Sequence, residues 1–151
     1  MDKYWDDYKV GDVISTSGRT VMHADIRLFF GATDASHPAH VDEEYCKEHP
    51  FGRIVVPGSL TLGIVDGFAI EALNARRLKV AHYGYDKIRF LAPVFPGDTI
   101  HMEVEVLETR DKSAEFGILK LQYDVKNQRN ELVAVIIDLQ MVERATPLPA
   151  A

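Results

Sequence analysis

The second half of the chain alternates apolar and polar residues in four long stretches, 78–90, 98–108, 114–125 and 132–142. In the second stretch Ile100, Met102, Val104 and Val106 fall on one face, and His101, Glu103 and Glu105 on the other. Leu119, Leu121 and Tyr123 repeat the pattern in the third. A period of two with one polar face predicts antiparallel strands covered on one side only. Turn chemistry separates them, at Pro96-Gly97-Asp98, Arg110-Asp111-Lys112-Ser113 and 126–130. The first half is mixed. A turn at 8–12 leads into a strand over 13–21, and from His23 the period lengthens. Ile26, Phe29 and Phe30 recur at helical spacing, Asp25 suits the helix dipole in the first turn, and the helix ends near Gly31-Ala32-Thr33. A short solvated helix follows over 41–49 with Asp42 as its N-cap, broken by His49-Pro50-Phe51-Gly52.

The segment 59–74 differs from every other helical stretch. Leu60, Ile64, Phe68 and Ala72 form one row four residues apart, and Leu62, Val65, Ala69 and Leu73 cover most of the remaining circumference. No polar stripe is left, which predicts a buried helix; Gly63 and Gly67 would let another element approach its backbone closely. The expected partner is the sheet of the second half, so the pattern predicts an α+β domain in which a long antiparallel sheet wraps one buried central helix. A single unit over 1–151 is expected, with 146–151 a frayed tail.

Composition narrows the function. At 151 residues and 46% hydrophobic content, the chain fits one core. A net charge of −6 argues against nucleic-acid or anionic-membrane partners, which need a basic face. Cys46 is the only cysteine, so intrachain disulfides and cysteine-rich zinc sites are excluded. The acidic first residues do not read as a signal peptide, and no apolar run approaches ~20 residues. A cytoplasmic protein is expected.

Polar chemistry concentrates in Asp34-Ala35-Ser36-His37-Pro38-Ala39-His40-Val41-Asp42, followed by Phe51-Gly52-Arg53-Ile54-Val55-Val56-Pro57-Gly58-Ser59-Leu60. A loop carboxylate and a loop imidazole can share acid and base roles around one water. Bland readings stand beside these: Asp34 as a turn cap, His40 as a satisfied core histidine, His37 as a loop-shaping residue. Asp66 is a lone acid in an apolar helix, which costs free energy unless it is paired or reaches a cavity. It lines the site, holds His40 or a water, or bonds a sheet amide. His37, His40 and Asp42 have ligand-like spacing, but no second cluster supports a metal. Lys87 and Arg89 alternate onto one strand face with Tyr83 and Tyr85, as a solvated face or as an aid to binding a phosphorylated carrier.

The pattern formed by Asp34, His37, Pro38, His40 and Asp42 resembles the signature loop of the MaoC-like dehydratases and R-specific enoyl-CoA hydratases. The stretch 51–60 is similar to the lead into that family's central helix, and 90–99 to its later strand-turn-strand block. Order and spacing match over nearly the whole chain, with two departures. One extra residue separates Asp34 from His40; counting rigidly back places Ala35 at the acid position, whereas Thr33-Asp34 resembles the family's lead-in. Pro57 also stands where the family usually has histidine. The resemblance implies a single hot-dog domain working as a homodimer or higher homo-oligomer. It implies a lyase that hydrates a trans-2-enoyl-CoA to the (R)-3-hydroxyacyl-CoA, or the reverse. Asp34 and His40 would be catalytic, with Gly58 N–H as oxyanion donor and Ser59, Asp66 and His37 near substrate. No cofactor or metal is implied beyond the CoA or acyl-carrier thioester of the substrate. Two rivals remain: a hot-dog acyl-CoA thioesterase using Asp66, and a non-catalytic acyl-thioester-binding protein.

Overall fold

The computed structural model describes residues 3–74 and 77–147; part of the expected tail, from 148 onward, lies outside them. Short strands β1 (Val13–Ser15) and β2 (Arg19–Thr20) precede helices α1 (His23–Thr33), α2 (Glu43–Glu48) and α3 (Gly58–Ala72). Four long strands follow: β3 (Val80–Phe90), β4 (Thr99–Asp111), β5 (Phe116–Lys126) and β6 (Leu132–Glu143). The sheet is antiparallel with order β1-β4-β5-β6-β3, and β2 pairs with β4. The expected strand over 13–21 is split in two. Between the halves, Thr16 N–H donates to Met102 O and Thr16 Oγ1 accepts from Met102 N–H, so the side chain replaces one rung of the ladder.

Alternation sorts the faces as the pattern predicts. Met102, Val104 and Val106 on β4 and Leu119, Leu121 and Tyr123 on β5 are all fully buried, while Glu105 is exposed and Glu103 half-buried. α3 packs on this apolar face through Ile64, Val65, Phe68 and Ala69. Tyr8 fastens the helix end, its hydroxyl donating to Leu73 O at 2.8 Å in a buried setting.

Two expectations need correction. α3 is not enclosed on all sides: Ser59, Gly63, Asp66, Gly67 and Ile70 form an exposed stripe. A Cβ built on Gly63 or Gly67 meets nothing within 4 Å, so among the described residues nothing makes the close approach those glycines permit. β3, an edge strand, also departs from simple alternation, with register shifts between His82 and Gly84 and between Tyr85 and Lys87. Residues paired across strands share a face. Tyr85 pairs with the inward Asp138, whereas Lys87 and Arg89 pair with Ile137 and Val135 of the other row. Tyr85 therefore does not share their face.

Candidate active site

His40 closes a single 3-10 turn, Pro38–His40, which Pro38 starts with its preset φ. The turn is tied to the strand-like segment before α3. Val55 N–H donates to Ala39 O at 3.1 Å, and His40 Nδ1 lies 2.7 Å from Val55 O. A carbonyl only accepts, so Nδ1 carries the proton and Nε2 keeps its lone pair. His40 is half-buried, its ring 6.2 Å from that of Phe30 and 6.1 Å from that of His37.

His40 and Gly58 line one cleft of about 350 Å³, whose other walls include Val56, Thr61, Phe90 and Pro93. Gly58 is the first residue of α3. The bond from Thr61 N–H to Pro57 O, at 3.0 Å, opens the helical ladder. The N–H groups of Gly58, Ser59 and Leu60 thus have no acceptor within the helix, and they carry the partial positive charge of its N-terminus. A Cβ at Gly58 would lie 2.9 Å from Phe90 Cε2, so glycine lets that ring pack directly against the start of α3. The arrangement offers a base, a set of amide donors and an apolar wall.

The remaining predicted residues are placed differently. Asp34 is the C-cap of α1, in the left-handed region at φ 54°, its N–H donating to Phe30 O at 2.9 Å. Aspartate tolerates that conformation better than most residues. The side chain is exposed, and among the described residues its carboxylate makes no hydrogen bond. His37 caps the 3-10 turn, its Nδ1 accepting from Ala39 N–H at 3.2 Å. Asp42 is the N-cap of α2, accepting from Glu44 N–H and Tyr45 N–H. Ser59 faces solvent. Asp66 is exposed and accepts a short hydrogen bond from Tyr85 OH, so its partner is a phenol of β3, neither His40 nor a backbone amide. Among the described residues, no three of His, Cys, Asp and Glu are grouped to hold a metal ion.

Sequence reasoning missed the wall supplied by Thr61, and it missed a second polar group altogether. Asp138, with none of its surface exposed, accepts from Tyr123 OH and from Gln140 Nε2, each at 2.6 Å. His82 Nε2 stands 2.9 Å from its other oxygen. The signal was available in β6, where Ala134, Ile136, Asp138, Gln140 and Val142 share the inward row. Two polar residues at core positions of a strand require partners.

Comparison with known proteins decides the family: residues 8–127 match the model of the MaoC like domain. The chain belongs to the MaoC-like domain family. It is similar to the (R)-specific enoyl-CoA hydratase of Rhodospirillum rubrum, with 34% identity over 68% of this chain and 69% of that protein. It is also similar to the protein MaoC of Klebsiella aerogenes, with 34% identity over 68% of this chain, but it spans only 30% of that longer protein. Among solved structures, one described as a monoamine oxidase regulatory protein from Archaeoglobus fulgius superposes with a TM-score of 0.86 at 31% identity, covering 95% of both chains. A double hot-dog protein from Mycobacterium tuberculosis, Rv0216, matches 99% of this chain and 46% of its own at a TM-score of 0.84 and 20% identity, a likeness of fold. This MaoC-like domain has the hot-dog fold.

Proposed function

We propose that this MaoC-like domain is a lyase that adds water across a trans-2-enoyl thioester to give the (R)-3-hydroxyacyl thioester, or runs the reverse dehydration. The supporting observation is the cleft lined by both His40 and Gly58, the first residue of α3. Hydration needs a base for water, an acid for the α-carbon and a donor for the developing enolate oxygen. His40 supplies the imidazole, its tautomer fixed by Val55 O. Gly58 N–H supplies the oxyanion donor, and Asp34 is the carboxylate that completes the acid–base pair. The hydratase name of the Rhodospirillum rubrum relative points the same way. The thioesterase alternative relies on Asp66, whose carboxylate is engaged by Tyr85.

The working unit proposed is a homodimer, formed over the exposed stripe of α3 and the adjoining edge strand β3. That stripe is glycine and apolar except for Ser59 and Asp66, and it leaves room for a second copy to approach the helix.

Crotonyl-CoA and longer enoyl-CoA thioesters, followed by loss of enoyl absorbance with parallel assay of free thiol, test the reaction. Absorbance loss without thiol is expected, and folded His40→Ala and Asp34→Asn variants should each lose about 10²–10⁴-fold in turnover. Thiol release at the rate of absorbance loss, or full activity in both variants, would sink the proposal.

A further inference from the structure

The outward row of β6 breaks a rule that its neighbours obey. On the face of the sheet turned away from α3, β4 presents Glu103 and Glu105, and β5 presents Lys120, Gln122 and Asp124. That is the polar side expected of an antiparallel sheet covered on one face. β6 instead presents Val135, Ile137, Leu139 and Met141 in an unbroken apolar row. All four are half-buried, and none belongs to the core beneath α3. A strand with an apolar row on its outer side is suited to being covered there as well.

The flanks of this row carry opposite charges at matching levels. Val135 pairs with Arg89 of β3 on one side and with Asp124 of β5 on the other. Among the described residues neither charge has an ion-pair partner: Arg89 donates to Ile88 O, and Asp124 accepts from Gln122 Nε2. Ile137 stands between Lys87 and Gln122, and near Leu139 Asp86 reaches Lys120 at 2.7 Å. A two-fold axis parallel to β6 keeps every level and exchanges the two flanks. It lays β3 of one copy over β5 of the other, so Arg89 meets Asp124 twice and Asp86 meets Lys120 twice. An axis across the strands would lay β3 on β3 and bring the basic Lys87 and Arg89 toward their own copies. Packed sheets cross at about 30°, an offset that side chains as long as arginine span. The area is modest. The 12 residues of β6 extend about 40 Å, and three strands are about 14 Å wide. Two such faces bury roughly 1,100 Å² in total, at the lower edge of specific interfaces, so the contact is weak.

We propose that the outer face of β6 and its flanks is a self-association surface, which pairs copies of this chain sheet to sheet about a two-fold axis along β6. The occupant is a second copy because the face is complementary to itself, apolar row on apolar row and Arg89 on Asp124. An isologous contact of this kind needs no other partner. The surface lies on the opposite side of the sheet from α3, so an assembly can use it together with the homodimer proposed above. It depends neither on that homodimer nor on the hydratase reading.

The test is sedimentation of the full chain at low salt, from about 10 µM to about 1 mM, the range in which a contact of this size forms. The mass of the parent should rise on concentrating. Ile137→Lys, which puts a charge into the apolar row, should abolish the rise. Arg89→Glu and Asp124→Arg should each weaken association about tenfold, because like charges then meet twice. The combined variant exchanges the two charges and should return to within about threefold of the parent. Circular dichroism checks that each variant is folded. A parent that does not associate further on concentrating would overturn the proposal. So would Ile137→Lys associating like the parent, or a combined variant no better than the single ones. Association already present in dilute protein belongs to the α3 surface and should persist in Ile137→Lys. A parent that is monomeric when dilute would remove that homodimer and leave this test intact.

Discussion

Tyr123→Phe isolates the buried network behind β6 better than any other single change. The ring stays, its packing against the core stays, and only the hydroxyl that donates to Asp138 Oδ2 at 2.6 Å is lost. Neither Tyr123 nor Asp138 exposes any surface, so water cannot take the place of the lost donor. Asp138 keeps Gln140 Nε2 at 2.6 Å and the misaligned His82. Removing a charge-assisted hydrogen bond costs about 1.5–3 kcal/mol. A loss of about 2 kcal/mol is roughly thirtyfold in the folded-to-unfolded ratio. With a urea m-value of about 2 kcal/mol/M, the midpoint falls by about 1 M at unchanged slope. Circular dichroism and Trp5 fluorescence, at one protein concentration, should report coincident transitions. The effect also has a pH signature. Burial first, and Asp138 second, raise the Tyr123 phenol far above its ordinary value. The folded state therefore keeps a proton that the unfolded chain releases above about pH 10. Stability is fully present below that pH and falls above it, by up to about 1.4 kcal/mol per pH unit from this phenol. The variant lacks that contribution, so its deficit should narrow to under about 1 kcal/mol near pH 11. A midpoint shift under about 0.3 M, or a deficit that does not change with pH, would refute the reasoning.

Three further changes probe other parts of the molecule. Gly58→Ala puts a Cβ 2.9 Å from Phe90 Cε2, so this half-exposed ring of the cleft wall must shift, and kcat/KM for enoyl-CoA should fall about ten- to hundredfold while the thermal midpoint barely moves. Gly117→Val fills the space occupied by the Trp5 indole, breaking its 3.2 Å bond to Ile118 O and its stacking with Arg144 at 4.1 Å. It should cost about 1–3 kcal/mol in urea titration and shift Trp5 emission to the red. Gly67→Arg adds bulk and charge where a Cβ meets nothing within 4 Å, so the fold should survive by circular dichroism while light scattering reports monomers. A variant that remains dimeric would remove the α3 stripe from the interface.

Most of the sheet was legible because its signal is local. Ile100, Met102, Val104 and Val106 alternate with charged residues, and burial follows that alternation. The N-cap at Asp42 was legible for the same reason, since a side chain and the amides two and three residues on suffice to make it. The candidate loop, 34–42, was legible only in composition. Whether Asp34 faces the cleft depends on where α1 stops, and the helix runs to Thr33 before Asp34 takes the left-handed cap. The second polar group was hidden by distance along the chain. Tyr85 and Asp66 are 19 residues apart, and Tyr123 and Asp138 are 15 apart. The register shift that turns Tyr85 inward has no marker in the sequence beyond Gly84.

The misjudged helix carries the most consequence. Helical periodicity reports that a face is unsuited to water; it does not report which chain covers it. The 15-residue α3 has no polar stripe, and its own sheet buries only part of its circumference. Gly63 and Gly67 stand open beside Ile70, which is 50% exposed. The edge strand β3, paired on one side with β6, borders the same side, and among the described residues its other edge is a template for another strand. A stripe that reads as buried in sequence and lies bare in one chain is what the proposed homodimer would cover. Closing that surface would cover the stripe at Asp66 and Ile70, beside the cavity that Asp66 and His82 line.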